Sequence, residues 1–162
     1  MVHSAKTVTS ARLLDLSLDP VPDAVTVGGV DPGPKPGTCL LVIAGRDVAS
    51  VVTGMDPQEL LTADYLAVER YVLQPRSGRQ QDKAAQTATL VMAEELASAR
   101  RALRVDAKLV GRLQYLGPGN VKPWATDRRL ERYGVLVKGG HHRDAVRHAL
   151  YYAVAAGLLP RR

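Results

Sequence analysis

Residues 25–53 read VTVGGVDPGPKPGTCLLVIAGRDVASVVT, and this stretch decides the fold. Valines alternate with small residues up to Val30, a turn rich in proline and glycine follows Asp31, and two short apolar runs occupy 38–44 and 48–53. Runs of β-branched residues bounded by turn residues are typical of strands. The stretch therefore predicts three strands in an antiparallel meander.

Helical and extended patterns alternate downstream of the meander. The sequence predicts, in order, a short helix after Asp56-Pro57 that carries Leu60, Leu61, Tyr65 and Leu66; a strand over 68–73 with Glu69 near its start; a long helix over 82–103; a strand over 107–116 ended by Gly117-Pro118-Gly119; a short helix over 120–133; and a last helix from His141 to Gly157. Such an order indicates a mixed α/β sheet, with an antiparallel meander extended by parallel strands and with helices on its faces. We expect five strands.

Length and composition fit one folded domain. The chain has 162 residues, of which 46% are hydrophobic, and this is sufficient for one sizeable core. Residues 1–23 show no sustained period and end in a proline-rich segment, so we expect a loosely ordered extension before a domain over 24–162. No apolar run approaches the roughly 18 residues of a membrane span, and we find no secretory signal, which favours a soluble cytoplasmic protein. The single cysteine, Cys39, excludes a disulfide framework and a cysteine-ligated zinc.

The net charge of +6 hides two halves of opposite sign. Residues 1–69 carry 4 Lys and Arg against 9 Asp and Glu, whereas residues 70–162 carry 18 against 7. A basic half of this size is typical of a protein that contacts nucleic acid, although a soluble basic surface has the same composition. Aromatic residues make up only 4%, which disfavours a single-strand reader built on stacked rings. Duplex or branched nucleic acid fits better.

Acidic side chains stand at the ends of predicted elements. Asp31 follows the first strand, and Glu69 lies in an otherwise apolar strand. Both have ordinary alternatives, since Asp-Pro-Gly is a common turn and Glu69 can be an exposed acid at a sheet edge. On the last helix, His141, Asp144 and His148 are spaced i, i+3 and i+7 and share one face. There too a helix start favours an acid by itself, and histidines can simply face solvent.

Taken together, these acids and a histidine form a ligand set for Mg²⁺, or for Mn²⁺, which also accepts imidazole. Two such ions about 4 Å apart can activate a water and stabilise the leaving oxygen in phosphodiester hydrolysis. Clustered carboxylates repel one another without metal. We therefore expect that Asp144→Asn leaves the stability of the metal-free protein unchanged or raises it.

The order of these motifs resembles that of the RuvC type of Holliday-junction resolvase, within the ribonuclease H-like superfamily. The matching pieces span residues 25–157 and are Val27-Gly28-Gly29-Val30-Asp31-Pro32-Gly33 followed by Thr38 and an apolar strand, Val68-Glu69, the basic loop from Arg76 to Lys83, Val121-Lys122, and His141-x-x-Asp144-Ala145. The resemblance implies that the five-stranded mixed sheet is ribonuclease H-like.

The resemblance also assigns roles to particular residues. It implies that the metal ligands are Asp31, Glu69, His141 and Asp144, with two Mg²⁺ or Mn²⁺ ions in each active site. It implies that Lys122 approaches the scissile strand and binds DNA. Arg76, Arg79 and Lys83 would contact junction phosphates.

The function expected from the resemblance is that of a homodimeric endonuclease that cleaves Holliday junctions in DNA recombination and repair. It would act in the cytoplasm of a bacterium or of a phage-infected host cell. Two alternatives remain, namely a nuclease of the same fold with broader substrates such as flaps, forks and RNA-containing hybrids, and a DNA-binding relative without catalysis. The presence of all four ligand positions argues against the second alternative.

Overall fold

The structure, a computed structural model, describes residues 6–9, 23–69, 87, 89–92, 94–96, 113–116 and 118–162. Its strands are β1 (Lys6–Thr9), β2 (Val25–Asp31), β3 (Gly37–Ala44), β4 (Asp47–Thr53), β5 (Tyr65–Glu69) and β6 (Leu113–Leu116). Its helices are a 3₁₀ helix (Pro57–Thr62), α1 (Pro118–Trp124), α2 (Asp127–Arg132) and α3 (Gly140–Ala155), and residues 87, 89–92 and 94–96 are helical as well. Within these ranges, no helix is long and apolar enough to cross a membrane.

The strands form one mixed sheet in the order β1-β4-β3-β2-β5-β6. The predicted meander is confirmed, because β3 pairs antiparallel with both β2 and β4. Strands β5 and β6 extend the sheet beyond β2 in parallel, as expected. The expected five strands are one too few, since β1 pairs in parallel with β4 and makes the described sheet six-stranded.

Strand β1 lies in the segment for which the sequence predicts loose order. It covers an edge of β4 that would otherwise leave backbone N–H and C=O groups unpaired, and its residues Thr7, Val8 and Thr9 are β-branched and favour extended backbone. Four residues carry too little periodicity for detection in the sequence. The other residues before 23 lie outside the described ranges, so the division of the chain at residue 24 stays a prediction.

The segment after β4 differs from its prediction in a way that matters for Glu69. The predicted helix is a 3₁₀ helix that ends at Thr62, and Tyr65 and Leu66 belong to β5 instead. Pairing with β2, where Tyr65 lies opposite Val27, outweighs the helical spacing of the apolar residues. Strand β5 begins at Tyr65, so Glu69 is its fifth residue and not near its start, and residues 70–73 of the predicted strand lie outside the described residues.

The region predicted as one helix over 120–133 is two helices. Helix α1 ends at Trp124, one residue after Pro123, which has no N–H to donate. The Thr126 side chain then accepts a hydrogen bond from the Arg129 N–H and caps the start of α2. Pro118, predicted to end a strand, begins α1. Of the long helix predicted over 82–103, the described residues between 87 and 96 are helical.

The core lies on both faces of the sheet, and the face under α3 positions the site. Helix α3 packs across β2 and β3 through Ala145, Ala149 and other buried residues. It lies so close that a Cβ added at Gly29 would collide with the backbone oxygen of Ala145, and one added at Gly37 with that of His141. The two glycines thus bring the first turns of α3 against the end of β2.

Candidate metal centre

Two acids meet at the carboxyl edge of the sheet because β2 and β5 are parallel neighbours. Val30 lies opposite Val68, so the next residue of each strand, Asp31 and Glu69, emerges at the same edge. Both side chains are mostly buried, with 14% and 13% of their surfaces exposed. The acids are held in place by the two strands of the sheet centre rather than by mobile loops.

Asp144 reaches the same edge from the second turn of α3. Asp31, Glu69 and Asp144 each offer a carboxylate oxygen, and these three oxygens all lie within 4.8 Å of one another. Oxygen ligands at this spacing suit a hard divalent cation such as Mg²⁺ or Mn²⁺. The folded chain thus brings together three of the four residues that the sequence analysis proposed as ligands.

His141, the fourth of them, lies at the open side of this cluster. Its imidazole is 69% exposed, and its Nδ1 lies 2.9 Å from Oδ2 of Asp31. His141 lies beside the three carboxylates, but its ring nitrogens are not among the ligand atoms that lie within 4.8 Å of one another. His142 turns the other way, since its Nδ1 accepts a hydrogen bond from the Thr38 N–H at 3.1 Å and so ties α3 to β3.

Asp144 is held by two cations. Lys122 Nζ lies 2.9 Å from its Oδ2, and Arg147 Nη1 lies 2.5 Å from its Oδ1. Burial would raise the pKa of Asp144, but the hydrogen bonds from Lys122 and Arg147 outweigh it and lower the pKa below its ordinary value. The expectation of net repulsion at Asp144 is therefore wrong, because the charges of Lys122 and Arg147 outweigh those of the neighbouring carboxylates.

Lys122 projects from α1 into this edge and is 45% exposed. Burial tends to lower the pKa of Lys122, but its hydrogen bond to Asp144 and the nearby carboxylates together raise it. The ammonium group is therefore charged at neutral pH. It is the predicted site lysine, and the structure places it in contact with a candidate metal ligand.

Repulsion between neighbouring carboxylates affects Glu69 instead of Asp144. Burial, followed by the charge of Asp31, raises the pKa of Glu69 from its ordinary 4.5 to about 7. A carboxyl group in this state holds a proton for much of the time at neutral pH. A divalent cation bound at the cluster would compensate the negative charge of the Glu69 carboxylate in place of the proton. Metal binding at such groups therefore releases protons.

The sequence did not point to Arg147 and Asp127, which together fix the orientation of Asp144. The Arg147 guanidinium donates to Asp144, to Oδ1 of Asp127 at 2.6 Å, and from Nε to the backbone oxygen of Ala125 at 3.1 Å. Arg143 donates to the other oxygen of Asp127 at 3.0 Å. The i, i+3 spacing of Asp144 and Arg147 was an available signal. Asp127 carried none, because it joins this network only when folding brings the start of α2 within reach of Arg143 and Arg147.

The predicted DNA-contacting residues Arg76, Arg79 and Lys83 lie outside the residues that the structure describes, so their role stays a prediction.

Trp124 is half-buried, packs against the core, and makes an edge-to-face contact with Tyr151 at 5.5 Å between ring centroids. Trp124 is therefore part of the core packing around Tyr151.

The fold has known counterparts among solved structures. The chain is similar to RuvC of Thermus thermophilus in complex with a Holliday junction substrate, with a TM-score of 0.54 and 14% sequence identity over 82% of this chain and 97% of that one. It is also similar to a structure of Thermus thermophilus RuvC, with a TM-score of 0.51 and 16% identity over the same shares. No family model matches the chain, and no curated protein sequence matches it. The likeness establishes the RuvC-like fold that the motifs predicted.

Proposed function

We propose that this protein is a metal-dependent endonuclease that hydrolyses phosphodiester bonds in branched DNA, with the Holliday junction as its main substrate. The observation that carries the proposal is the meeting of Asp31, Glu69 and Asp144 within 4.8 Å at one sheet edge. The RuvC-like fold supports it, because one of the similar structures is a RuvC complex with a Holliday junction substrate.

The residues at this edge fit a hard divalent cation. Three carboxylates from three elements supply oxygen ligands, and burial together with the nearby charge of Asp31 raises the pKa of Glu69. When bound, such a cation polarises a phosphate oxygen and lowers the pKa of a coordinated water. His141 is proposed as a further ligand from the solvent side, since its imidazole already lies beside Asp31.

The chain's own residues have distinct tasks in this proposal. Asp31 and Glu69 hold the cation from the sheet, and Asp144 holds it from α3, where Arg147 fixes its orientation. The half-exposed Lys122 ammonium is available to a phosphate oxygen of the scissile strand. Its contact with Asp144 keeps this positive charge at the site before DNA arrives.

The proposed substrate follows from charge and symmetry. Residues 70–162 carry the basic excess, which suits a polyanion, and we propose that Arg76, Arg79 and Lys83 contact its phosphates. Resolution of a four-way junction requires two paired nicks. We therefore propose a homodimer that presents two sites to one junction.

A nicking assay with a labelled four-way junction in Mg²⁺ or Mn²⁺ tests the proposal. Linear duplex, flap, fork and RNA–DNA hybrid substrates run in parallel. We expect metal-dependent nicking of the junction and its loss by two orders of magnitude or more in Asp31→Asn, because a misplaced cation forfeits several kcal/mol of transition-state stabilisation. Asp47→Asn is the matched control, since Asp47 pairs with Arg162 at the start of β4.

Three results would overturn the proposal in different ways. Equal cleavage of flaps or hybrids would make the protein a nuclease of broader specificity. Tight junction binding without nicking would make it a DNA-binding protein. Nicking that persists in Asp31→Asn would remove the carboxylate cluster from the chemistry.

A further inference from the structure

His148 is a buried histidine directly beneath the carboxylate cluster. Its side chain has no exposed surface, and it lies on α3 one turn after Asp144. Its Nδ1 lies 2.8 Å from the backbone oxygen of Asp144. A carbonyl oxygen only accepts, so Nδ1 carries a hydrogen and donates it. The other ring nitrogen, Nε2, faces Oε2 of Glu69 at 3.7 Å.

These two facing atoms share an unusual property. Both are buried, and among the residues that the structure describes neither Nε2 of His148 nor Oε2 of Glu69 has a hydrogen-bond partner. Buried polar atoms without partners are disfavoured in folded proteins. Their separation exceeds a normal hydrogen bond by less than 1 Å. A small rotation of the Glu69 side chain brings the two atoms within hydrogen-bond distance of each other.

Packing alone gives no reason for a histidine at this position. The other buried residues in the middle of α3 are Ala145, Val146, Ala149 and Leu150, all apolar. A leucine in place of His148 would fill a similar volume without any unpaired polar atom. The imidazole of His148 therefore has a role other than filling the core.

We propose that His148 is a positioning residue for Glu69. Nε2 holds the inner carboxylate oxygen, Oε2, on the protein side and so turns the outer oxygen towards Asp31 and Asp144. Because Nδ1 is bonded to the backbone of Asp144, one imidazole fixes the side chain of one acid relative to the main chain of another. This inference deepens the proposed function and rests on the metal site of that proposal.

Partners that orient a metal ligand are tested by metal affinity, which needs neither DNA nor turnover. The full chain is titrated with Mn²⁺ alone, and free Mn²⁺ is measured by electron paramagnetic resonance at fixed pH. Three substitutions separate the contacts of His148. His148→Leu removes both contacts, His148→Asn keeps a short amide near the Asp144 carbonyl without reaching Glu69, and His148→Gln places an amide near the position of Nε2.

We expect His148→Leu and His148→Asn to weaken Mn²⁺ binding by about 10- to 100-fold. His148→Gln should restore the affinity to within a few-fold of the original, because its amide can form a hydrogen bond with Glu69 from the position of Nε2. Leu150→Ala is the control for stability, since it opens a cavity in the same helix. It should lower the unfolding temperature and leave the Mn²⁺ affinity unchanged.

The inference is overturned if His148→Leu binds Mn²⁺ as the original chain does, or if His148→Gln binds as weakly as His148→Leu. Should His148→Leu fail to fold, His148→Asn against His148→Gln gives the same decision. Junction nicking by the original chain together with unchanged affinity in His148→Leu overturns this inference alone. Tight Mn²⁺ binding without cleavage of any DNA overturns the proposed function and leaves the role of His148 intact.

Discussion

Glu69→Gln is expected to stabilise the metal-free protein above neutral pH. The substitution keeps the size of the side chain and removes the charge that burial and Asp31 disfavour. Most substitutions at a buried polar position destabilise a protein. A gain in stability would therefore show that the charge of Glu69 destabilises the metal-free protein.

The magnitude follows from the pKa of Glu69, which is about 7 in the folded protein against an ordinary 4.5. As pH rises, the unfolded chain releases this proton first, so the folded state loses stability between pH 4.5 and 7. One pKa unit corresponds to about 1.4 kcal/mol, so the rise from 4.5 to about 7 costs at most about 3.5 kcal/mol above pH 7. Below pH 4.5 both states are protonated, and the full stability is retained.

Urea unfolding in the presence of EDTA, at a series of pH values from acid to alkaline, measures this effect. We expect the two proteins to be similar in acid and Glu69→Gln to be more stable in alkali. Added Mn²⁺ should reverse the order, since it stabilises only a chain that binds it. Glu59→Gln, on the exposed 3₁₀ helix, is the matched control. A flat pH profile for the original chain, or a Gln variant that is less stable in alkali, would refute the reasoning.

Three further results are expected. Asp144→Asn should lower the stability of the metal-free protein by about 1–3 kcal/mol in urea unfolding at pH 7, because Lys122 and Arg147 lose their charged partner; equal or greater stability would contradict the two ion pairs. Gly37→Ala should cost about 1–3 kcal/mol and weaken Mn²⁺ binding, because the new methyl group pushes α3 away from β3; the control Gly119→Ala, which meets open space, should do neither. Replacing Arg76 and Arg79 by alanine should reduce the slope of log affinity against log salt for a four-way junction by about 2, as measured by gel shift; an unchanged slope would place this loop away from the DNA.

The meander and the position of Asp31 were readable from the sequence because they depend on neighbouring residues. Alternating valines, a turn of prolines and glycines, and two apolar runs specify three strands locally. The last helix was equally clear, since its apolar residues repeat at helical spacing and a glycine with positive φ, Gly157, follows its end. A side chain at the end of such an element is predictable whenever the element is.

The surroundings of the acids were not readable, because they depend on residues far apart in the chain. Glu69 was assigned to the start of its strand, and only the pairing of β5 with β2 shows that the strand begins at Tyr65 and places Glu69 beside Asp31. The ion pair between Arg147 and Asp127 forms only when folding brings the start of α2 close to α3. No periodicity in one segment carries information about such partners.

The sequence by itself determined which residue types are available for a metal and the order of the elements that carry them. The tertiary structure decided their charge states, since it paired Asp144 with two cations and left Glu69 buried near Asp31 and His148. The physical reason is that a carboxyl group responds to the charges and dipoles within a few ångströms. Those neighbours come from other strands and helices, and folding alone brings them within reach.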